Sequence, residues 1–487
     1  MSAAHETEYQ PPANGFRTFV IVWVTQSLSV FGSALTWFAI TIWLTQTRFP
    51  LESQKPELAF ALTAIGLTYI VTLALAPLAG AWVDRHDRKL TMIMADLGNG
   101  ILSLVLMTLL ITGVLDVWML VIVVAFLSAI GPFHHAAFDT SYAMIVPEKQ
   151  LPRANGMMQT MWSLSGILSP ALAAGIIALP ALARQGLVPG SLGDWLAPLK
   201  DGTALAISVD AVTFFIGAAT LLFLYIPSPK RADLHAEDGT KIKKSVWADI
   251  KEGALYIRRR PPLLWLLATF TVINFASSPV ELFVPLLLKF NLAGDWERLG
   301  FTFETALALI TTLGSIGGVV GGVIMSTWGG LKRKRVYGVV IPILLAGIVQ
   351  IVYGLSPSII LSAALSFLIV SLVPVMNSHS QTIWQTQVPR ELQGRVFAVR
   401  RVIAQFSAPV STLLAGLASA TFNPGAILAV LGALTVVFCI AQLFNPYLLR
   451  VEDKQYLDEV AIRRGEPIAS LTPEPQQPQT LAEETVR

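Results

Sequence analysis

Twelve stretches of this chain are long and apolar enough to cross a lipid bilayer, which excludes an ordinary soluble domain. A helix needs about 20 apolar residues to span the hydrocarbon core. Candidate spans, numbered 1 to 12 in chain order, fall at 17–44, 57–82, 90–113, 117–145, 153–179, 203–226, 262–289, 304–328, 336–354, 358–386, 394–421 and 425–449. Pro, Gly and charge mark the joints, as in PSPKR at 227–231. Of 487 residues 54% are hydrophobic and 13% charged, against about 25% charged in an average soluble domain. The expected fold class is an all-α membrane protein. The one cysteine, Cys439, lies in an apolar run and supports neither a disulfide framework nor a thiolate metal site.

Charge placement orients the spans. With residue 1 inside, 28 of the 34 Lys and Arg fall on inner segments and 6 on outer loops. Basic residues concentrate in cytoplasmic loops, so both termini are expected in the cytoplasm. MSAAHETEYQPPANG carries no basic region ahead of a short apolar core, so span 1 reads as a retained helix. A repeat is visible as well. VPEKQLPR at 146–153 is similar to VPRELQGR at 388–395, an offset of 242 that also carries Gly80 to Gly322 ahead of the basic cluster 331–335. Each half holds six spans, an even number, so the halves read as parallel repeats. The expected organisation is a polar segment at 1–16, a six-helix bundle at 17–226, a linker at 227–261, a second bundle at 262–449, and a partly disordered tail at 450–487 rich in Pro and Gln. Within the linker, KKSVWADIKEGALYIRRRPP reads as an amphipathic helix on the inner membrane face, with Val246, Ile250, Ala254 and Ile257 on one side.

Between spans 2 and 3 the chain reads Gly80-Ala-Trp-Val-Asp84-Arg85-His-Asp-Arg88-Lys89. This resembles G-x-x-x-D-R-x-G-R-K, the loop 2–3 signature of the major facilitator superfamily. Asp87 stands where the pattern has its second glycine, as is usual in the branch of macrolide-efflux and enterobactin-exporter proteins. VPEKQLPRAN at 146–155, GALYIRRRPPLL at 253–264 and QVPRELQGRVFAVRR at 387–401 resemble the same branch, so the likeness covers roughly 15–450. It implies the major facilitator fold, alternating access, and a gating set of Gly80, Asp84, Arg85, Arg88, Lys89, Arg395 and Arg400. In that set Asp84 latches the halves on the inner side against the N-terminus of span 11, whose partial positive charge favours an anion. Span 5 carries Gly166-Ile-Leu-Ser169-Pro170-Ala-Leu-Ala-Ala174-Gly175, similar to the antiporter motif G-x-x-G-P-x-x-G-G with Ser169 and Ala174 replacing glycines. That likeness implies export, and Pro170 is expected to kink the helix. Glycines at 314, 317, 318, 321 and 322 give span 8 a flat face for close packing.

Four acids fall inside spans: Asp96, Asp139, Asp210 and Glu281. Insertion scales assign roughly 2.5–3.5 kcal/mol to a charged aspartate at a span centre, so such a residue marks a functional site by default. Asp96 and Asp210 can couple protons or be bonded to neighbouring backbone and hydroxyls. Glu281 shares a helical stripe with Asn274 and Ser278, and Asp139 one with Ser128, His135 and Tyr142. Stripes of this kind line cavities, which makes Glu281 and Asp139 the preferred proton- or substrate-binding acids. Gln26, Ser33 and Trp37 on span 1, with Asn377, Gln381 and Trp384 on span 10, complete the expected cavity. His134 and His135 point about 100° apart on a helix and cannot chelate one ion well, so no metal is expected.

No G-x-x-x-x-G-K-[ST] occurs, and no nucleophile–base pair is visible, so neither an enzyme nor a cofactor is expected. The reading is a secondary active exporter of hydrophobic drugs, siderophores or other secondary metabolites, driven by the proton gradient. A proton-coupled importer on the same fold, or a transport-inactive membrane sensor, are the alternatives. The expected partners are a small-molecule substrate and the bilayer, with no nucleic acid. The expected state is a monomer in the cell inner (plasma) membrane.

Overall fold

The computed structural model describes residues 12, 14–83, 85–227 and 246–465. Its twelve spans are Gly15–Arg48, Glu52–Val83, Arg88–Ile111, Val117–Tyr142, Arg153–Arg184, Thr203–Phe223, Pro261–Phe290, Phe303–Trp328, Tyr337–Gly354, Ile359–Gln387, Leu392–Ser419 and Pro424–Leu443. No strand occurs among the described residues. Short polar side chains start several spans by accepting backbone N–H groups that have no helical partner. Asp87 Oδ1 takes Leu90 N at 2.7 Å, so the residue that departs from the glycine pattern serves as the N-cap of span 3. Asp116, Thr302 and Asn423 cap spans 4, 8 and 12 in the same way.

The packing repeats between halves. In the first half span 1 packs on spans 5 and 6, span 3 on spans 4 and 6, and span 2 on span 4. In the second half span 7 packs on 11 and 12, span 9 on 10 and 12, and span 8 on 10, which is the same pattern six spans on. Span 5 then packs on span 8 and span 11 on span 2, again a matched pair, and these contacts join the halves. The span 8 glycines serve the second half alone: added Cβ atoms at Gly317 and Gly321 would strike the Phe367 and Ser371 carbonyls of span 10. Span 5 runs unbroken through Pro170 and Pro180.

Three points differ from the sequence expectation. Span 12 ends at Leu443, not 449, because Pro446 restricts Asn445 to an extended backbone and Asn445 caps a separate short helix, Pro446–Leu449. The linker helix Val246–Arg259 docks on protein and does not simply lie on the membrane. Tyr256 and Ile257 are buried, Tyr256 donates to the Gln387 carbonyl at 3.1 Å, and Glu252 pairs with Arg395. A C-terminal helix, Lys454–Arg463, closes over the same corner, where Asp458 meets the buried Arg260 at 3.4 Å.

The apolar core shows which end is shut. At the end away from the chain termini, residues of both halves, including Leu35, Leu62, Phe283, Leu307 and Ala415, form one continuous cluster. At the terminal end the halves have separate clusters, one around Phe19, Met92 and Phe138, the other around Leu266, Val339 and Trp384. The far end is therefore closed and the terminal end open. Two lysines reach across the closure in opposite directions. Lys289 of span 7 donates to the carbonyls of Thr45, at 2.6 Å, and Phe49. Both acceptors lie at the end of span 1, where residues Trp43–Arg48 widen into a π-helical turn. Lys55 of span 2 donates to the Phe422 carbonyl beyond span 11 at 2.8 Å. Between them Gly416 sits directly on Thr63, leaving no room for a Cβ.

Replacing Gly416 by Leu should wedge spans 2 and 11 apart. Spin labels at Glu57 and Thr421 should then report a longer separation, and an unchanged distance distribution would contradict the tight contact. A second prediction concerns Asp116, whose carboxylate accepts Arg48 Nη2 at 2.8 Å and ties span 4 to span 1. That bond, with the Val117 N–H behind it, holds the Asp116 carboxyl below the usual carboxylate range. A depressed folded value stabilises above the unfolded value of about 3.9, and the contribution disappears as pH falls through the folded value. Thermal stability should therefore drop less below about pH 4 in Asp116→Asn than in the parent; equal losses would show that the pair contributes nothing.

Candidate substrate and ion site

Sequence spacing places Asp96, Asn99 and Ser103 on one face of span 3, and that face is buried. It meets spans 1, 4 and 6 inside the first half. There Asp210, 2% exposed, accepts three hydroxyls: Ser33 at 3.0 Å on Oδ1, and Thr36 at 3.0 Å and Ser103 at 2.8 Å on Oδ2. Gly32 makes this possible, since a Cβ there would lie 2.8 Å from the Asp210 Cα. Asp96 is fully buried. Its Oδ2 accepts Gln26 Nε2 at 3.0 Å, and its Oδ1 lies 3.1 Å from His134 Nε2.

Two cavities adjoin this core. The first, of about 500 Å³, lies between the halves and is lined by residues that include Trp37, Tyr69, Asn274, Ser278, Glu281 and Gln405. The second, of about 690 Å³, lies within the first half against Gln26, Ser33, His134, His135, Asp139 and Trp162, with Met158 and Met161. Trp37, Ile40, Val124 and Ser128 line both, so the two adjoin. Volumes of this size accommodate drug-sized molecules, and methionine and aromatic walls adapt to varied shapes. Glu281 and Asp139 are both exposed to this space. Neither has an ion-pair partner within 4 Å among the described residues.

The structure thus places Asn274, Ser278 and Glu281 on the first cavity, Gln26, Ser33, His135, Asp139 and Asp210 on the second, and Trp37 on both. Asp96 lies behind its wall. Asn377, Gln381 and Trp384 line neither cavity, because the polar stripe of span 10 turns toward span 11. Gln381 Oε1 accepts Arg400 Nη1 at 2.9 Å, the guanidinium stands 5.1 Å from the ring of the fully buried Trp384, and Asn377 is exposed. Gly166 meets Ser315 of span 8 across the halves, while an added Cβ at Gly175 would touch nothing.

The gating set is spread over several contacts. Asp84 lies outside the described residues. Arg88 donates to the Thr140 carbonyl at 3.2 Å and Lys89 to the Leu222 carbonyl at 3.0 Å, bracing span 3 against spans 4 and 6. Arg85 is exposed, and an added Cβ at Gly80 has open space. Arg395 bonds Glu252 of the linker helix, and Arg400 bonds span 10. Residues that the sequence reading did not single out include Lys289 and Lys55, counted there only as loop charges, and Ser103 and Thr36. The i, i+3, i+7 spacing of Asp96, Asn99 and Ser103 was a signal that could have found the buried face.

The family profile of the Major Facilitator Superfamily matches residues 22–412. The chain belongs to that superfamily, and it is a multi-pass membrane transporter rather than an enzyme. It is 27% identical over 405 residues to macrolide efflux protein A of Streptococcus pyogenes, covering 82% of this chain and 88% of that one. It is 23% identical over 382 residues to the multidrug efflux pump Tap of Mycolicibacterium fortuitum, covering 77% and 84%. In fold it is similar to a bacterial homologue of the human lysosomal transporter Spinster in an inward-facing, unoccupied conformation, with a TM-score of 0.59, 13% identity, and coverage of 92% and 98%.

Removing one donor to Asp210 leaves a buried carboxylate under-satisfied. Ser103→Ala should lower stability by about 1–2 kcal/mol, between the values for ordinary membrane and charged hydrogen bonds. Thermal unfolding in detergent measures this, and no loss would mean that water replaces the hydroxyl.

Proposed function

We propose that this transporter exports amphiphilic organic molecules bearing a basic group, in exchange for protons, from a cytoplasm facing its open end. The plasma membrane is the proposed location. One observation carries the reading: two adjoining cavities, one between the halves and one within the first, each hold an accessible acid, Glu281 and Asp139, with no Lys, Arg or His of the described residues paired to it. A protonated amine fits such acids, and the aromatic and methionine walls suit an apolar body. The names of the relatives, macrolide efflux and multidrug efflux, support drugs as the class and export as the direction. The bias of Lys and Arg toward the terminal end supports a cytoplasmic placement of that end.

Everted membrane vesicles containing the chain, acidified inside and followed with a pH-sensitive dye, test this directly. Erythromycin, or a lipophilic cation such as ethidium, should dissipate the gradient as it enters in exchange for protons. Glu281→Gln should reduce the response at least ~10-fold, equivalent to about 1.4 kcal/mol. Absence of any response at confirmed expression, with substrate uptake by intact cells instead, would reverse the direction.

A further inference from the structure

We propose that the cavity between the halves binds organic cations through two or more N–H hydrogens, received by the Glu281 carboxylate and by the backbone carbonyls of Glu281 and Gln405. The proposal rests on the basic-substrate reading above and adds which acid holds the charge and what that charge must carry.

Proline has no N–H, so inside a helix it leaves the carbonyl four residues earlier without its regular donor. Span 7 holds two such prolines, Pro279 and Pro285, and span 11 holds Pro409. In transmembrane helices a neighbouring hydroxyl can take over the freed carbonyl. At Pro279 this happens: the Phe275 carbonyl accepts Ser411 Oγ of span 11. It happens also at Pro132 of span 4, where the Ser128 carbonyl accepts Thr72 Oγ1 of span 2 at 2.9 Å. Pro285 and Pro409 free the carbonyls of Glu281 and Gln405, and no side chain among the described residues donates to either. Glu281, Pro285, Gln405 and Pro409 all line the cavity between the halves. A helical carbonyl lies on the face between its own residue and the residue four further on, so both freed carbonyls are on the cavity side.

Neighbouring polar side chains on this wall add acceptors. Asn274 Nδ2 donates to the Ala404 carbonyl at 2.9 Å, Ser278 Oγ to the Asn274 carbonyl at 2.5 Å, and Thr41 Oγ1 to the Trp37 carbonyl at 3.0 Å. With those hydrogens spent on backbone, what the three side chains offer the cavity is oxygen lone pairs. Arg401 interacts with Tyr69 of the same wall, yet makes no ion pair with Glu281. An acid set among acceptors selects a cation rich in donors. A primary ammonium can give one hydrogen to the carboxylate and others to the two carbonyls, whereas a quaternary ammonium balances the charge and leaves the carbonyls empty. Trp37 stands beside the Glu281 carboxylate and Tyr69 lines the cavity with it. Their rings suit the carbon next to such a charge.

Titration of the purified protein with dansylcadaverine, a protonated primary amine, and with its N,N,N-trimethyl analogue tests the site without transport. The primary amine should bind at least ~10-fold tighter. Pro285→Ala combined with Pro409→Ala returns an N–H to each freed carbonyl and should cut that preference to below about 3-fold. Pro279→Ala, whose carbonyl Ser411 already fills, should keep it. Glu281→Gln should weaken both probes at least ~10-fold. Equal affinities in the wild type, an unchanged preference in the double variant, or full affinity in Glu281→Gln overturns the proposal. Should the double variant not fold, the wild-type comparison and Glu281→Gln decide alone. Selective binding by a protein that shows no gradient-driven flux leaves the site standing and sinks the export reading, and flux with equal affinities does the reverse.

Discussion

A polar group placed among apolar helices must find its partners inside the protein, because the surrounding hydrocarbon offers none. The first half concentrates this demand where spans 1, 3, 4 and 6 meet. Gly32 lets span 6 approach, span 1 supplies Gln26, Ser33 and Thr36, and span 3 supplies Ser103, so two aspartates stay below the lipid surface. The cavity opens beside this knot, and the histidines and Asp139 on its wall are held in place by the same helix contacts. Packing, electrostatics and access are consequently one problem in this half.

The second half solves the corresponding contact differently. Spans 9 and 12 meet at Gly347 and Gly432, close enough that a Cβ on either would crowd the other helix. Gln350 bridges the Ala276 and Leu428 carbonyls at 3.1 and 3.3 Å. No acid is involved. The repeated packing pattern thus survives while its chemistry diverges: at this contact one half is fastened by neutral amide and backbone groups, the other by two aspartates that accept amide and hydroxyl donors. The linker and C-terminal helices attach to the neutral half through Arg260, Asp458 and Glu252, which makes that half the better candidate for a rigid frame.

Much of this was legible in the sequence. Span number, the parallel repeat and the cavity stripes of Glu281 and Asp139 follow from apolar run length and helical periodicity, both local properties. The failures have a common origin in helix rotation about its axis. Span 10 carries a polar stripe that periodicity detects, but only its packing on span 11 determines that Gln381 and Trp384 serve Arg400. Adjacent histidines look equivalent in sequence, and it is the pairing of span 4 with span 3 that directs His134 at Asp96 and leaves His135 in the open. Lys289 counts in the sequence only as an outer-loop charge, because nothing local shows that span 1 widens its last turn opposite to it.

The opposed lysines at the closed end carry a consequence for leakage. Lys289 belongs to the second half and is held by carbonyls of the first; Lys55 belongs to the first and is held by a carbonyl of the second. Tilting the halves apart must break both, since each spans the seam from its own side. A chance rupture of one leaves the other fastened, so spontaneous slip is governed by a joint event rather than by the weaker lock. A transporter sealed this way seldom opens its far end by chance.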